Sequence, residues 1–176
     1  MTTTVPVRIS SYPAPRHVIG AGFDVALHQG AARAARVVPG SMRVCVVVAD
    51  GGMSTAGSPV AFDLPVAGPS SSCQVWGHAN GAIQVRAAWS PPALLVSRSH
   101  VVMVPETPGT PGVCVMVPGD RLLVLSSTAY EAAPERMVRL LHEEPARLLA
   151  ADAYDLLAGL FRDVPDAGGA VVTRLG

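Results

Sequence analysis

Apolar residues come in short blocks separated by glycine, proline and serine, and two periodicities divide the chain. Arg43 to Ala49 carries Val44, Cys45, Val46, Val47 and Val48 in an unbroken apolar, mostly β-branched run, the strongest strand signal in the sequence. Leu122 to Leu125 is also apolar throughout, as in a strand covered on both faces. Cys73 to Gly77 and Ala82 to Ala88 flank Ala79-Asn80-Gly81, a hairpin signal. Ala93 to Val96 and Val101 to Val104 read as further strands, and Val113 to Val117 leads into the stretch that follows it. Val5 to Ile9 reads as a first strand, Val60 to Leu64 as a short one, and Asp166 to Leu175 as the closing one. In the last third the period changes from two to 3.6. Met137, Leu140 and Leu141 share a face from Pro134 to Glu143. Leu149, Ala153, Leu156, Leu157 and Leu160 share a face from Pro145 to Arg162. Each segment opens on proline, whose missing N–H is harmless in a first helical turn. The spacing predicts two helices with core-facing stripes.

Composition narrows the possibilities. At 176 residues the chain reads as one domain, residues 1–176, large enough for a real core. Hydrophobic residues make up 49% and charged residues 15%, and the formal net charge is zero, so nothing favours nucleic acid. All 13 basic residues are arginines; Arg33, Arg36 and Arg43 lie in an acid-free interval, while 131–166 holds most of the acids. Cys45, Cys73 and Cys114 are odd in number and widely spaced, as expected of buried reduced thiols rather than a disulfide framework or a zinc site. The first residues show no charged-then-apolar signal pattern. No apolar run approaches the roughly 18 residues of a membrane span. The expectation is a soluble cytoplasmic protein that meets no membrane.

The stretch on which the chain is organised runs from Val117 to Ala132. Pro118-Gly119-Asp120 has turn chemistry: a preset φ, a residue that accepts positive φ, and a side chain that bonds its own backbone. The buried run Leu122 to Leu125 follows, then Ser126-Ser127-Thr128, then Glu131-Ala132. This order resembles the metal-dependent protein phosphatases of type 2C (the PPM family), in particular their SpoIIE-like bacterial branch. There Pro-Gly-Asp and an apolar strand precede Thr-Asp-Gly and Glu-Ala. Other segments resemble the same family in the same order. They are Tyr12-Pro13-Ala14 with Val18 to Val25, Asp50-Gly51 after the strong strand, Pro91-Pro92 before an apolar strand, and Asp166-Ala167 before the last strand.

The departures fall on the chemistry. Ser127 stands where the family has a metal-binding aspartate, and Ala167 replaces the second of two aspartates. Trp89-Ser90 replaces the family's Gly-His. Gly20 and Gly22 keep the family's glycines, and its first aspartate falls on Gly22 or, with a short shift, on Asp24. Gly51 to Ser72 holds four glycines, three prolines and five serines in 22 residues. Two long helices, which the family places there, do not fit such a composition.

The resemblance implies an α/β domain of the α+β kind, a mostly antiparallel sheet or sandwich with the two predicted helices on one face. It implies Asp50, Asp166 and Asp24 as remaining metal ligands of a vestigial site, with Ser127 replacing a family ligand and no catalytic residue named. Hard divalent ions want several oxygen ligands, and paired metals serve an attacking and a leaving oxygen together. Without the carboxylate at 127, the expectation is no cofactor, or weakly bound Mn²⁺ or Mg²⁺. The reading is then a degenerate, protein-binding regulator in bacterial partner-switching signalling. The alternatives are a low-activity Mn²⁺- or Mg²⁺-dependent serine/threonine phosphatase and an unrelated β-rich interaction domain. A protein partner is expected. So is a homodimer, because strands apolar on both faces need cover that the segment after Asp50 cannot supply as helices.

Overall fold

The computed structural model describes residues 16–28, 35–38, 40–49, 72–107, 109–161, 163–164 and 167–176. The expected strands at Val5 to Ile9 and Val60 to Leu64, and the segment from Gly51 up to Ser72, lie outside these residues. Asp50 and Asp166 do too.

Two antiparallel sheets form a sandwich. The first contains β1 (Arg16–Gly20), β2 (Phe23–His28), β7 (Ala93–Val96), β8 (Val101–Val104), β10 (Arg121–Leu125) and β11 (Gly169–Arg174). Its spatial order is β1-β2-β11-β10-β7-β8. The second contains β3 (Ala35–Val38), β4 (Arg43–Ala49), β5 (Ser72–His78), β6 (Ala82–Ala88) and β9 (Gly112–Val115), in the order β3-β4-β5-β6-β9. Four helices follow β10: α1 (Ser127–Ala132), α2 (Pro134–His142), α3 (Pro145–Ala150) and α4 (Ala153–Phe161).

Residue parity explains the layers. Side chains alternate across a strand, and in the first sheet both sets are apolar. Val25, Leu27, Leu122, Val124, Ala170 and Val172 face the second sheet and meet Val44, Val46, Val48, Val75, Ile83 and Val85. Ala26, Leu94, Leu123, Leu125 and Val171 point the other way, onto Met137, Leu140, Leu148, Leu157 and Phe161 of the helices. The continuous run Leu122 to Leu125 is therefore buried on both sides, each residue at 2% exposure or less. On the outward side of the second sheet Cys45 and Val47 are buried, while Gln84, Arg86, Val113 and Val115 are exposed. Cys45, Cys73 and Cys114 form no disulfide with one another, in keeping with their spacing, and burial pushes the Cys73 thiol up to about 12.

Several boundaries differ from the sequence reading. The single helix expected from Pro145 to Arg162 is two helices. Ala151 is extended, and the Asp152 carboxylate accepts the N–H of Tyr154 at 2.9 Å and of Asp155 at 3.2 Å, which makes Asp152 the N-cap of α4. Apolar spacing runs through this break and hides it. Within the segment Val113 to Val117, β9 stops at Val115, because the Met116 N–H turns to the Gly81 carbonyl at 2.9 Å. β1, β2, β3 and α1 were not read as elements from the sequence; β3 and α1 are too short to show a period.

Turns hold the ends of the sandwich. Val117 to Asp120 is a turn with Gly119 at φ 95°, and the Asp120 carboxylate accepts the Val117 N–H at 3.0 Å. Asp120, 4% exposed, is thus a structural residue. The Arg174 guanidinium donates to the carbonyls of Ala21 and Gly22 in the β1–β2 turn and of Ala79 in the β5–β6 turn, while lying over the Phe23 ring. One side chain therefore ties a hairpin of each sheet to the other.

Candidate functional site

The ends of β10 and β11 converge. The Ser126 N–H donates to the Gly168 carbonyl at 2.9 Å, and the Gly168 N–H donates back to Ser126 Oγ at 3.1 Å. Ser126 is 1% exposed, and its hydroxyl closes this pair instead of capping α1. Ser127 is the first residue of α1, and its hydroxyl donates to the Trp89 carbonyl at 3.5 Å, a long contact that reaches across to the end of β6. Along that edge Ala88 pairs with Ser72, and Ser72 with Ala49. The described neighbours of Asp50 and Asp166, namely Ala49 and Ala167, thus belong to the same end of the sandwich as Ser127.

Ala167 has no exposed surface and packs with the apolar residues under the helices. Asp24 lies elsewhere. It pairs with Thr173, whereas His28 pairs with Gly169 at the Ser126 end. Four residues at about 3.3 Å each place it about 13 Å along the sheet from Gly169. Its carboxylate meets His17 Nδ1 at 2.7 Å. The structure therefore does not bring Asp24 together with Ser127, and the short register shift that would make it a shared ligand has no geometric support.

The described hydroxyl donors at this end would not by themselves hold a two-metal centre. They are neutral serine hydroxyls already used in protein hydrogen bonds, and a dication held by hard oxygen ligands wants carboxylates. No group of three or more His, Cys, Asp or Glu suited to hold a metal occurs among the described residues.

Beside Ser127 opens a cavity of about 1090 Å³. Trp89, Pro91, Pro92, Met103, Pro105 and Tyr130 give it apolar walls, and Arg86, Glu106 and Glu131 stand at its sides. Trp89 is 90% exposed and has φ 53°. The left-handed region costs an ordinary residue about 1–2 kcal/mol, yet this tryptophan adopts it where the resembling family has glycine. Ser90 Oγ is buried with no hydrogen-bond partner among the described residues. Burial, with the Cys73 thiol as a lesser cause, pushes the Tyr130 hydroxyl up to about 12, so it stays protonated. Sequence reasoning noted Trp89-Ser90 only as a loss of the family's Gly-His. A bulky aromatic at a position that needs positive φ was the signal available.

Comparison with solved structures matches this architecture closely enough to place it. The crystal structure of the RsbU and RsbW domains of a Mycobacterium tuberculosis protein superposes with a TM-score of 0.60 at 18% identity, over 92% of this chain and 62% of that one. The phosphatase domain of SpoIIE from Bacillus subtilis gives 0.56 at 12% identity, over 87% of this chain and 92% of that one. The fold is that of the SpoIIE-like PPM phosphatases. A longer SpoIIE structure, with a fragment of its regulatory domain, gives 0.50 at 11% identity, over 91% of this chain and 60% of that one. The chain therefore spans under two thirds of the first and third of these structures. No family model and no curated protein sequence matches the chain. The expected α+β architecture holds, with four helices among the described residues where two were expected. The unrelated β-rich domain, the third functional reading, gives way to this fold. No helix among the described residues is long and apolar enough to cross a membrane.

Proposed function

We propose that this chain is a degenerate SpoIIE-like phosphatase domain that acts by binding a protein in bacterial partner-switching signalling, in the cytoplasm. The observation that carries the reading is Ser127. At the position from which the family presents a metal-binding aspartate, a neutral hydroxyl bonds the Trp89 carbonyl, and the neighbouring Ser126 is closed onto Gly168. Burial of Ala167, where the family has another aspartate, supports the same conclusion. Losing a carboxylate removes a full negative charge that would face a dication, so any Mn²⁺ or Mg²⁺ left to Asp50 and Asp166 is held weakly. The SpoIIE-like fold supports a protein partner of the kind that such phosphatases serve, an anti-sigma factor antagonist or its kinase. A homodimer is part of the same proposal. β9 is a four-residue strand at the edge of the second sheet among the described strands, and it projects Val113 at 72% and Val115 at 65% exposure.

The test is hydrolysis of p-nitrophenyl phosphate and of a phosphoserine peptide with Mn²⁺ at millimolar concentration. The expected result is no turnover above the buffer rate. Robust Mn²⁺-dependent turnover that Asp50→Ala abolishes would replace the proposal by an active phosphatase.

A further inference from the structure

We infer that the cavity beside Ser127 is a docking site for an unphosphorylated, extended, proline-containing segment of a partner protein that carries a basic residue. The inference deepens the protein-binding reading above and rests on it.

Trp89 is the first observation. An indole that is 90% exposed in a left-handed backbone conformation contributes nothing to packing and strains the chain. Outliers of this sort persist where a site uses them. The walls are the second. Pro91, Pro92, Pro105 and Pro111 have no N–H, so they cannot pair with a peptide as an added strand. They offer flat apolar surface beside the indole, the lining on which polyproline segments dock. Such a segment makes no internal hydrogen bonds and keeps its carbonyls free. The cavity supplies donors for those carbonyls in the Trp89 Nε1–H and the Arg86 guanidinium.

Charge is the third observation. Glu106 and Glu131 flank the cavity, and no ion pair or hydrogen bond of either side chain occurs among the described residues. Two carboxylates against one arginine repel a phosphoryl group and favour a cation, which the indole face also attracts. The occupant is thus opposite in charge to a phosphopeptide.

The experiment uses the full chain in EDTA and three fluorescent synthetic peptides with a leucine-proline core. One is flanked by arginine, one by glutamate, and one by arginine with a phosphoserine inserted. Trp76→Phe leaves Trp89 as the remaining one of the chain's two tryptophans, so its emission reports occupancy directly. The arginine-flanked peptide is expected to bind saturably, shift Trp89 emission, and bind about tenfold tighter than either of the others, as charge matching requires. Trp89→Gly is expected to lose this binding while its thermal midpoint stays at or above the parent's, because glycine tolerates the left-handed region. Glu131→Arg is expected to reverse the peptide preference.

Equal binding of the three peptides overturns the proposal, as does unchanged binding by Trp89→Gly. No saturable binding in a chain that also fails to hydrolyse phosphopeptide overturns the cavity assignment alone and leaves the non-catalytic reading standing. Preferential, Mn²⁺-dependent binding and hydrolysis of the phosphoserine peptide overturns both. A dimer that becomes monomeric in Trp89→Gly would show the cavity filled by a second copy, and would overturn the peptide assignment.

Discussion

Ser127 occupies the first turn of α1, where a carboxylate would be favoured by the helix N-terminus and would not disturb the fold. Ser127→Asp is therefore a clean restoration. If Asp50 and Asp166 converge on the same point, Mn²⁺ affinity by calorimetry is expected to rise about tenfold or more, since affinity for hard cations follows ligand charge. Unchanged affinity would mean that the three positions do not meet. His28 gives a second prediction at this scale. Its ring lies 4.8 Å from that of Phe161, and burial lowers its pKa below the ordinary 6.5. The unfolded chain then binds the proton more readily than the folded one. The stabilisation is complete above pH 6.5 and is lost as pH falls from there through the lower folded value. Thermal midpoints measured from pH 7.5 to 5 are expected to fall less steeply in His28→Phe than in the parent. Parallel curves would refute the assignment.

Helices α3 and α4 show how an element depends on a side chain from another layer. Arg121, at the start of β10, donates from one nitrogen to the carbonyls of Leu148 at 2.9 Å and Ala151 at 2.5 Å, at the end of α3. These carbonyls belong to the last helical turn, where a cation is favoured and an intrahelical partner is lacking. Arg136 of α2 does the same for α4, through Leu160 O and the Asp163 carboxylate. Arg121→Met removes the donor and leaves the carbonyls half-buried. It is expected to cost about 1–3 kcal/mol in urea unfolding, with little change in the slope. An unchanged midpoint would show that water replaces the guanidinium without loss.

The whole molecule is two sheets with helices on one outer side among the described residues. The proposed homodimer belongs to this scale. With Val113 and Val115 exposed on the edge strand β9, static light scattering at micromolar concentration is expected to give twice the 18.1 kDa of the chain. Val115→Arg is expected to return it to the monomer mass. A monomeric parent would refute the assignment.

Where a segment's own residues decide its state, the sequence was sufficient. Arg43 and the six apolar residues that follow it to Ala49 form β4 with unaltered bounds, Asn80-Gly81 closes a hairpin, and Val117 to Asp120 forms the turn its proline and glycine demand. Two-sided burial of Leu122 to Leu125 was legible for the same reason, since no polar residue interrupts the run. Only the tertiary structure decided what depends on meetings between distant segments. It separated Asp24 from Ser127 by the register of β2 on β11, and it closed Ser126 onto Gly168, 42 residues away. It also stood Trp89 at the mouth of a cavity built from four separate stretches of chain. Local pattern records the preferences of neighbours along the chain. Register and convergence are set by packing the whole sandwich, and no short stretch of sequence contains that information.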